Sequence, residues 1–133
     1  MVTNKPMKSG DLIFLYGTLR PGEMRYPVMQ EFRAVLVGEA ILRDCAIYNV
    51  HGAYPALKLN KKGGVVHGFV MEITDPLITR RLDNIEGHPY LFQRQVLTTS
   101  RGPCWVYVAQ FDVEEKDRIE GGDWVKRHPN KAA

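Results

Sequence analysis

The chain has 133 residues, of which 44% are hydrophobic and 25% are charged, a size and composition typical of one globular domain with its own core. Its net charge of +3 and its pI of about 8.9 permit an anionic ligand. Basic residues are scattered, in runs no longer than Lys61-Lys62 or Arg80-Arg81, which argues against a nucleic-acid-binding protein.

The N-terminal residues 1–10 form a polar leader that lacks the apolar centre of a signal peptide. No segment reaches the length of a membrane-spanning helix. We therefore expect a cytoplasmic protein with no membrane partner. Cys45 and Cys104 are far apart and belong to no Cys-x-x-Cys or Cys/His cluster, so we expect two reduced, buried thiols.

The first predicted strand covers Asp11–Tyr16, and the loop Gly17–Gly22 follows it. The apolar run in this strand suits burial on both faces of a sheet. Gly17 permits a positive φ or a close approach of the backbone to a ligand. Successive N–H groups in such a turn can form an anion receptor. An ordinary loop after a core strand is the alternative interpretation.

The remaining residues alternate between short apolar segments and turn signals. They predict a helix over Tyr26–Phe32, followed by strands over Ala34–Leu42, Cys45–Val50, Tyr54–Leu59 and Val65–Ile73. A second helix is predicted over Pro76–Ile85, with Asp75 or Thr74 as its cap and Gly87 at its end. The last two predicted strands cover Gln93–Ser100 and Pro103–Asp112.

Residues 1–133 are predicted to form a single domain with a core over about 11–112, and residues 114–133 to form a charged C-terminal tail that is flexible at its end. A single strand-to-strand connection is plainly helical, which argues against a doubly wound parallel sheet. The pattern favours an α+β fold, in which a small mixed β-barrel of six or seven strands is flanked by short helices.

The second predicted helix places a carboxylate beside its apolar face. Glu86 follows Leu82 by four positions, so it lies at the edge of the face formed by Leu82 and Ile85. Partial burial and the helix C-terminus both raise the pKa of a carboxyl group, towards the range useful for a general base. The alternative is that Glu86 lies in solvent or pairs with Arg94.

Other residue types give weaker signals. Thr18 and Cys104 lack a recognisable Ser/Cys–His–acid grouping. Tyr107 shares a strand face with Trp105; burial is expected, although a tyrosine hydroxyl at a barrel mouth is also suited to binding substrate. Lys58, Lys61 and Lys62 are expected to form a solvated rim. No metal site is expected, since metal-ligand spacing is absent among His51, His67, His88 and His128.

Two segments taken together, Tyr16-Gly17-Thr18-Leu19-Arg20 and Leu82-Asp83-Asn84-Ile85-Glu86-Gly87, resemble the gamma-glutamylcyclotransferase-like family. The family has a Tyr-Gly-Ser/Thr-Leu-Arg/Lys signature and a Leu-Asp-x-x-Glu-Gly segment at a helix end. The resemblance covers about residues 11–112, and Phe92 stands where tyrosine is common. Further agreement comes from Tyr54-Pro55-Ala56-Leu57, His88-Pro89-Tyr90, Phe92-x-Arg94 and Trp105-Val106-Tyr107.

The resemblance implies an acyltransferase that converts a γ-glutamyl amine or γ-glutamyl amino acid to 5-oxoproline and releases the amine, without a metal or organic cofactor. It assigns Glu86 as the general acid/base. It places two elements in the substrate site. One is the loop formed by Tyr16, Gly17, Thr18, Leu19 and Arg20, and the other is Tyr107. Arg20 would either hold the loop or add positive potential.

Two other functions stay open from the sequence. A non-catalytic small-molecule binding protein of the same fold would use Glu86 only to bind a cationic amine. A basic barrel that binds nucleic acid would need an aromatic and basic platform, which this sequence lacks. The identity of the released amine and the oligomeric state are not determined by the sequence.

Overall fold

The computed structural model describes residues 3–127 and has a mixed α+β fold. Helix α1 (Tyr26–Glu31) precedes the second strand, helix α2 (Ile78–Glu86) precedes the sixth strand, and a short 3₁₀ helix (Glu115–Asp117) follows the seventh. The strands in chain order are β1 (Leu12–Leu15), β2 (Val35–Arg43), β3 (Cys45–Val50), β4 (Tyr54–Leu59), β5 (Val65–Glu72), β6 (Phe92–Thr99) and β7 (Gly102–Ala109).

Strand β1 lies at the centre of a five-stranded sheet with the order β2-β5-β1-β7-β6. Its pairing with β5 is antiparallel, and its pairing with β7 is parallel, with Ile13 opposite Trp105. The side chains of Ile13, Phe14 and Leu15 are at most 3% exposed, so the predicted burial of this strand on both faces is confirmed. The mostly antiparallel pairing confirms that the sheet is not doubly wound.

The predicted β-barrel is not confirmed. Strands β3 and β4 form a separate two-stranded sheet, and within residues 3–127 no ladder joins the edge strands β2 and β6. The edges meet only where the turn after β6 reaches β2: the Ser100 N–H donates to the Ile41 carbonyl at 3.0 Å, and the Ile41 N–H donates to the Ser100 hydroxyl at 2.9 Å. Arg101 adds a third hydrogen bond, from its Nε to the Glu39 carbonyl at 2.6 Å. These contacts come from the turn and not from paired strands, so the sheet stays open.

The predicted helices and strands are all present, with ends that differ by up to three residues. The largest difference at a helix start is in α2, which begins at Ile78 with Leu77 as its N-cap residue, so the predicted cap at Asp75 or Thr74 is wrong. Asp75 organises the turn just before the helix instead. The Asp75 carboxylate accepts a hydrogen bond from the Leu77 N–H at 3.0 Å. Gly87, in the left-handed conformation, ends the helix as predicted. In the described part of the chain, neither helix is long and apolar enough to cross a bilayer.

The core extends beyond residues 11–112 at both ends. Met7 is fully buried, and Trp124 is 2% exposed. The Met7 N–H donates to the Thr79 hydroxyl at 2.9 Å, and the His67 N–H donates to the Gly122 carbonyl at 2.8 Å. Met7 and Trp124 lie in mostly polar and charged stretches of the sequence, so no hydrophobic pattern identifies them as core residues. The end of the predicted tail, with His128-Pro129, lies outside the described residues.

The core has two parts, and β1 contributes to both through the alternation of its side chains. Ile13 and Leu15 pack in the part that contacts the two helices. Phe14 and Tyr16 pack in the other part, between the sheet and the β3-β4 hairpin. The loop after β1 therefore begins where the two parts of the core meet, with Leu15 packed in one part and Tyr16 in the other.

We predict that Gly122→Ala is less stable than the wild type by at least about 2 kcal/mol. Gly122 has a φ of 66°, and a Cβ atom there would overlap the Val65 carbonyl oxygen. Urea denaturation is the measurement. Gly121→Ala is the matched control, because a Cβ atom at Gly121 has no neighbour within 4 Å. Equal stability of the two variants would contradict the docking of this segment on β5.

Candidate active site

A cavity of about 210 Å³ opens beside the end of β1, a volume suited to a small molecule. The loop after β1, the start of α1, the start of β4 and the end of α2 surround it. Six of the seven predicted site residues line it, and Arg20 does not. The full lining comprises Phe14, Leu15, Tyr16, Gly17, Thr18, Leu19, Arg25, Tyr54, Pro55, Ile85, Glu86, Leu91, Phe92 and Tyr107.

The loop after β1 presents backbone donors at this cavity. Gly17 lies against the Pro55 ring, where a Cβ atom would be 2.8 Å from Cγ of the proline. The Arg20 N–H donates to the Gly17 carbonyl at 3.1 Å, which closes the turn. Within residues 3–127, the N–H groups of Gly17, Thr18 and Leu19 donate to no protein acceptor. Three successive donors are therefore available to a ligand.

Arg20, which is predicted to contact substrate, does not line the cavity. Its guanidinium donates to the Asp123 carboxylate at 2.8 Å and lies 5.1 Å from the centre of the Phe69 ring. Both side chains of this ion pair are largely buried. Of the two roles that the sequence left open, the structure favours the first, because Arg20 ties the loop to the C-terminal segment.

Glu86 is the last residue of α2, and its half-buried side chain lines the cavity. Burial raises the pKa of this carboxyl group from 4.5 to about 7, and the nearby positive charge of Arg25 acts in the opposite direction. The predicted position at the edge of the apolar face is confirmed, since Leu82 is fully buried one turn earlier. Glu86 can therefore exchange a proton near neutral pH.

Arg94 pairs with Asp83 rather than with Glu86. Its Nε and Nη2 atoms donate to the two Asp83 carboxylate oxygens at 2.8 and 2.9 Å, and the Tyr107 hydroxyl donates to the same carboxylate at 2.7 Å. Although burial alone would raise the pKa of Asp83, the hydrogen bonds from Arg94 and Tyr107 hold it below its ordinary value. Two carboxylates one turn apart thus have pKa values shifted in opposite directions, as in many acid–base sites.

The two tyrosines of the site are engaged with protein acceptors. The Tyr16 hydroxyl donates to the Tyr107 carbonyl at 2.6 Å, and the Tyr107 hydroxyl donates to Asp83. Both side chains are at most 6% exposed. Because each hydroxyl proton already has an acceptor, these residues shape the wall of the cavity, and neither offers a free O–H donor to a ligand.

Several weaker candidates lie away from the cavity. Cys45 and Cys104 are free, buried thiols, as predicted. Lys58 is not part of a solvated rim, because its ammonium donates to the Ala109 and Phe111 carbonyls at 3.0 and 2.9 Å. His88 accepts a hydrogen bond from the Arg94 N–H at 3.1 Å. Across residues 3–127, no three His, Cys, Asp or Glu side chains are grouped so as to hold a metal ion.

Sequence reasoning missed Arg25, the cation at this site. It lies just before α1 and lines the cavity, but no spacing or motif distinguishes it from the other scattered basic residues. Asp83 was visible within the segment Leu82–Gly87, and its partner Arg94 within Phe92-x-Arg94. Only the fold shows that these two residues bind one another.

A family model described as "Gamma-glutamyl cyclotransferase, AIG2-like" matches residues 13–126. The chain belongs to this gamma-glutamyl cyclotransferase family. The matched span includes the loop after β1, Glu86 and the C-terminal segment that holds Arg20. This match confirms the family that the loop and helix-end motifs indicate. At family level, it also supports an enzyme of the cyclotransferase type.

Relatives of the family agree with this assignment. The gamma-glutamylcyclotransferase family protein ytfP of Citrobacter rodentium is 33% identical over 115 residues, which cover 86% of this chain and 96% of the relative. The solution structure of ytfP from Escherichia coli is 30% identical, with a TM-score of 0.67 and coverage of 86% and 96%. The crystal structure of an AIG2-like protein from Mus musculus, 24% identical, shares the fold with a TM-score of 0.69 and coverage of 90% and 84%.

We predict that Glu86→Gln stabilises the protein at pH 8 by about 2–3 kcal/mol and leaves its stability at pH 4 nearly unchanged. The folded protein holds the Glu86 proton up to a pKa of about 7, whereas the ordinary value is 4.5. Between these values the folded state binds more protons than the unfolded state, so the wild type loses stability as the pH rises through this range.

Urea denaturation at pH 4 and at pH 8 measures this difference. Glu72→Gln is the control, since Glu72 is exposed on β5 and should show no such pH-dependent gain. A Glu86→Gln variant that gains the same stability at both pH values would disagree with the raised pKa.

Proposed function

We propose that this protein converts a γ-glutamyl amine or γ-glutamyl amino acid to 5-oxoproline and releases the amine, with Glu86 as the general base and then the general acid. One observation carries the proposal: a half-buried carboxyl group with a pKa of about 7 lines the same small cavity as three unpaired backbone N–H groups. The family to which the chain belongs supports the reaction type.

The ionised Glu86 receives the substrate's α-ammonium group, because opposite charges attract strongly in a partly desolvated cavity. The adjacent α-carboxylate accepts hydrogen bonds from the N–H groups of Gly17, Thr18 and Leu19, a receptor of the kind formed by successive backbone amides. In this arrangement the charged groups at the α-carbon of the substrate each have a partner of opposite polarity. The γ-carbonyl remains free to turn towards the amine.

Proton transfer to Glu86 makes the amine nucleophilic. The nitrogen attacks the γ-carbonyl carbon, and a new C–N bond forms as the C=O π bond opens and the carbonyl oxygen gains negative charge. Protonated Glu86 then gives its proton to the leaving nitrogen, and the original C–N bond breaks. The new ring nitrogen passes its surplus proton to the released amine through Glu86, so that 5-oxoproline with a neutral ring nitrogen, a protonated amine and ionised Glu86 result. A pKa of about 7 suits these transfers, since an effective acid–base group has a pKa close to the working pH.

Ring closure joins two ends of one molecule, so positioning contributes much of the rate. Intramolecular reactions with well-aligned groups gain large effective molarities. The cavity of about 210 Å³ is small, and Leu19, Ile85 and Phe92 supply apolar walls. A substrate held in so small a space is folded back on itself, which brings its amine close to its γ-carbonyl.

We predict that Glu86→Gln lowers kcat by about 10²- to 10⁴-fold, because it removes the acid–base group while keeping the shape of the side chain. The measurement is 5-oxoproline release from a panel of γ-glutamyl amino acids and γ-glutamyl amines. Glu72→Gln, exposed and outside the cavity, is the control and should keep the wild-type rate.

An unchanged rate in Glu86→Gln would remove the catalytic role of this residue. If the wild-type protein binds γ-glutamyl compounds by calorimetry and releases no 5-oxoproline, the protein is a non-catalytic binding protein of this fold. These two results are distinguishable, because the first requires turnover and the second requires its absence.

The pH profile gives a separate prediction. The kcat/KM of the wild type should rise with pH to half of its maximum near pH 7, because Glu86 must be ionised to accept the proton. Arg25→Gln should move this midpoint to higher pH, since the Arg25 charge lowers the pKa of Glu86. Initial rates between pH 5 and pH 9 measure both. A wild-type profile that is flat across this range would exclude a base with such a pKa.

A further inference from the structure

Arg25 carries a positive charge at the cavity that no residue within 3–127 holds in an ion pair, although this charge acts on the Glu86 carboxyl group at longer range. Its backbone is fixed, because its N–H donates to the Thr18 carbonyl at 2.9 Å and its carbonyl accepts the Val28 N–H at 3.0 Å. Its side chain is exposed and lines the cavity. In the part of the chain that the structure describes, the Arg25 guanidinium has neither an ion-pair partner nor a hydrogen bond.

The charges of the cavity match those of one class of substrate. In the proposed reaction, Glu86 takes the α-ammonium and the loop N–H groups take the α-carboxylate, which leaves Arg25 as the third receptor. A γ-glutamyl amine has no further charge on its leaving group. A γ-glutamyl amino acid has one more carboxylate there, and guanidinium groups bind carboxylates through charge-assisted hydrogen bonds.

The position of Arg25 also fits the leaving group. Glu86 is half-buried, whereas Arg25 is exposed, so the cation is the more solvent-accessible of these two charged residues of the cavity. The released amine must leave towards solvent. Leu91 lines the same cavity and is 55% exposed, and Tyr54 is partly exposed. These two side chains offer apolar surface beside the cation.

We propose that Arg25 is a specificity residue that binds a carboxylate on the leaving amine, so that the preferred substrates are γ-glutamyl amino acids with an apolar side chain. This inference rests on the proposed function. The inference selects one of the two substrate classes that the proposed reaction permits.

A matched pair of substrates tests this role. γ-L-Glutamyl-L-leucine and γ-L-glutamyl-3-methylbutylamide differ only by the carboxylate of the leaving group. The wild type should have a kcat/KM at least about tenfold higher for the leucine compound, the gain expected of a charge-assisted hydrogen bond. Arg25→Gln should remove about tenfold on that compound and less than about threefold on the amide.

The assay is run at pH 8.5, where Glu86 is ionised in both proteins, so that a change in its pKa does not affect the comparison. Arg80→Gln is the matched control, because Arg80 is an exposed arginine of α2 outside the cavity and its loss changes the net charge equally. Arg25→Lys should retain part of the preference, since it keeps the charge and loses the planar guanidinium.

Equal losses on the two substrates would overturn the proposal, since Arg25 would then serve the γ-glutamyl part that they share. No loss on either would overturn it as well. If the wild type turns over neither compound, the proposed reaction fails, and calorimetry of binding decides the role of Arg25 alone. Tighter binding of the leucine compound that Arg25→Gln abolishes supports the role, and equal binding of both compounds by the wild type refutes it.

Discussion

The ion pair between Asp83 and Arg94 is the interaction on which the geometry of the site depends. The Arg94 side chain is fully buried and reaches both Asp83 oxygens, and its Nη1 atom also donates to the Lys5 carbonyl at 2.8 Å. The pair therefore joins α2, β6 and the N-terminal segment. Removing either partner would leave a buried charge without compensation, a change that costs about 3–5 kcal/mol in other proteins. Because Glu86 lies one turn after Asp83, the pair also sets the direction in which α2 presents Glu86.

The same ion pair explains why Glu86 has a raised pKa. Arg94 is the partner that the sequence offered for Glu86, and Asp83 already takes two of its donors. Glu86 is left half-buried beside the more distant charge of Arg25, so burial dominates its pKa. An unpaired, partly desolvated carboxylate lowers the stability of the folded protein above neutral pH. Functional sites commonly carry such a cost, because the feature that destabilises the fold is the one that suits proton transfer.

Local patterns in the sequence determine most of the fold, and contacts between distant segments determine the rest. Alternation and turn residues located the strands β3 and β4 at their observed ends. Closure of the sheet depends on whether the edge strands β2 and β6 pair along their length, and no local pattern reports that. The roles of Met7 and Trp124 were hidden for a similar reason: single apolar residues among polar neighbours have no periodicity, although each is buried in the folded protein.

The two arginines near the loop after β1 also show that local sequence patterns do not reveal contacts between distant segments. Arg20 belongs to the recognisable motif, yet it pairs with Asp123, more than a hundred positions along the chain, and lies outside the cavity. Arg25 belongs to no motif and lines the cavity. They lie five positions apart in sequence, and what separates them is the C-terminal segment, which supplies Asp123 to Arg20 and no ion-pair partner to Arg25 within the described residues. The loop is thus held by a buried ion pair and lies beside a cation that shares the cavity with Glu86, so an anion that enters the cavity can still bind Arg25.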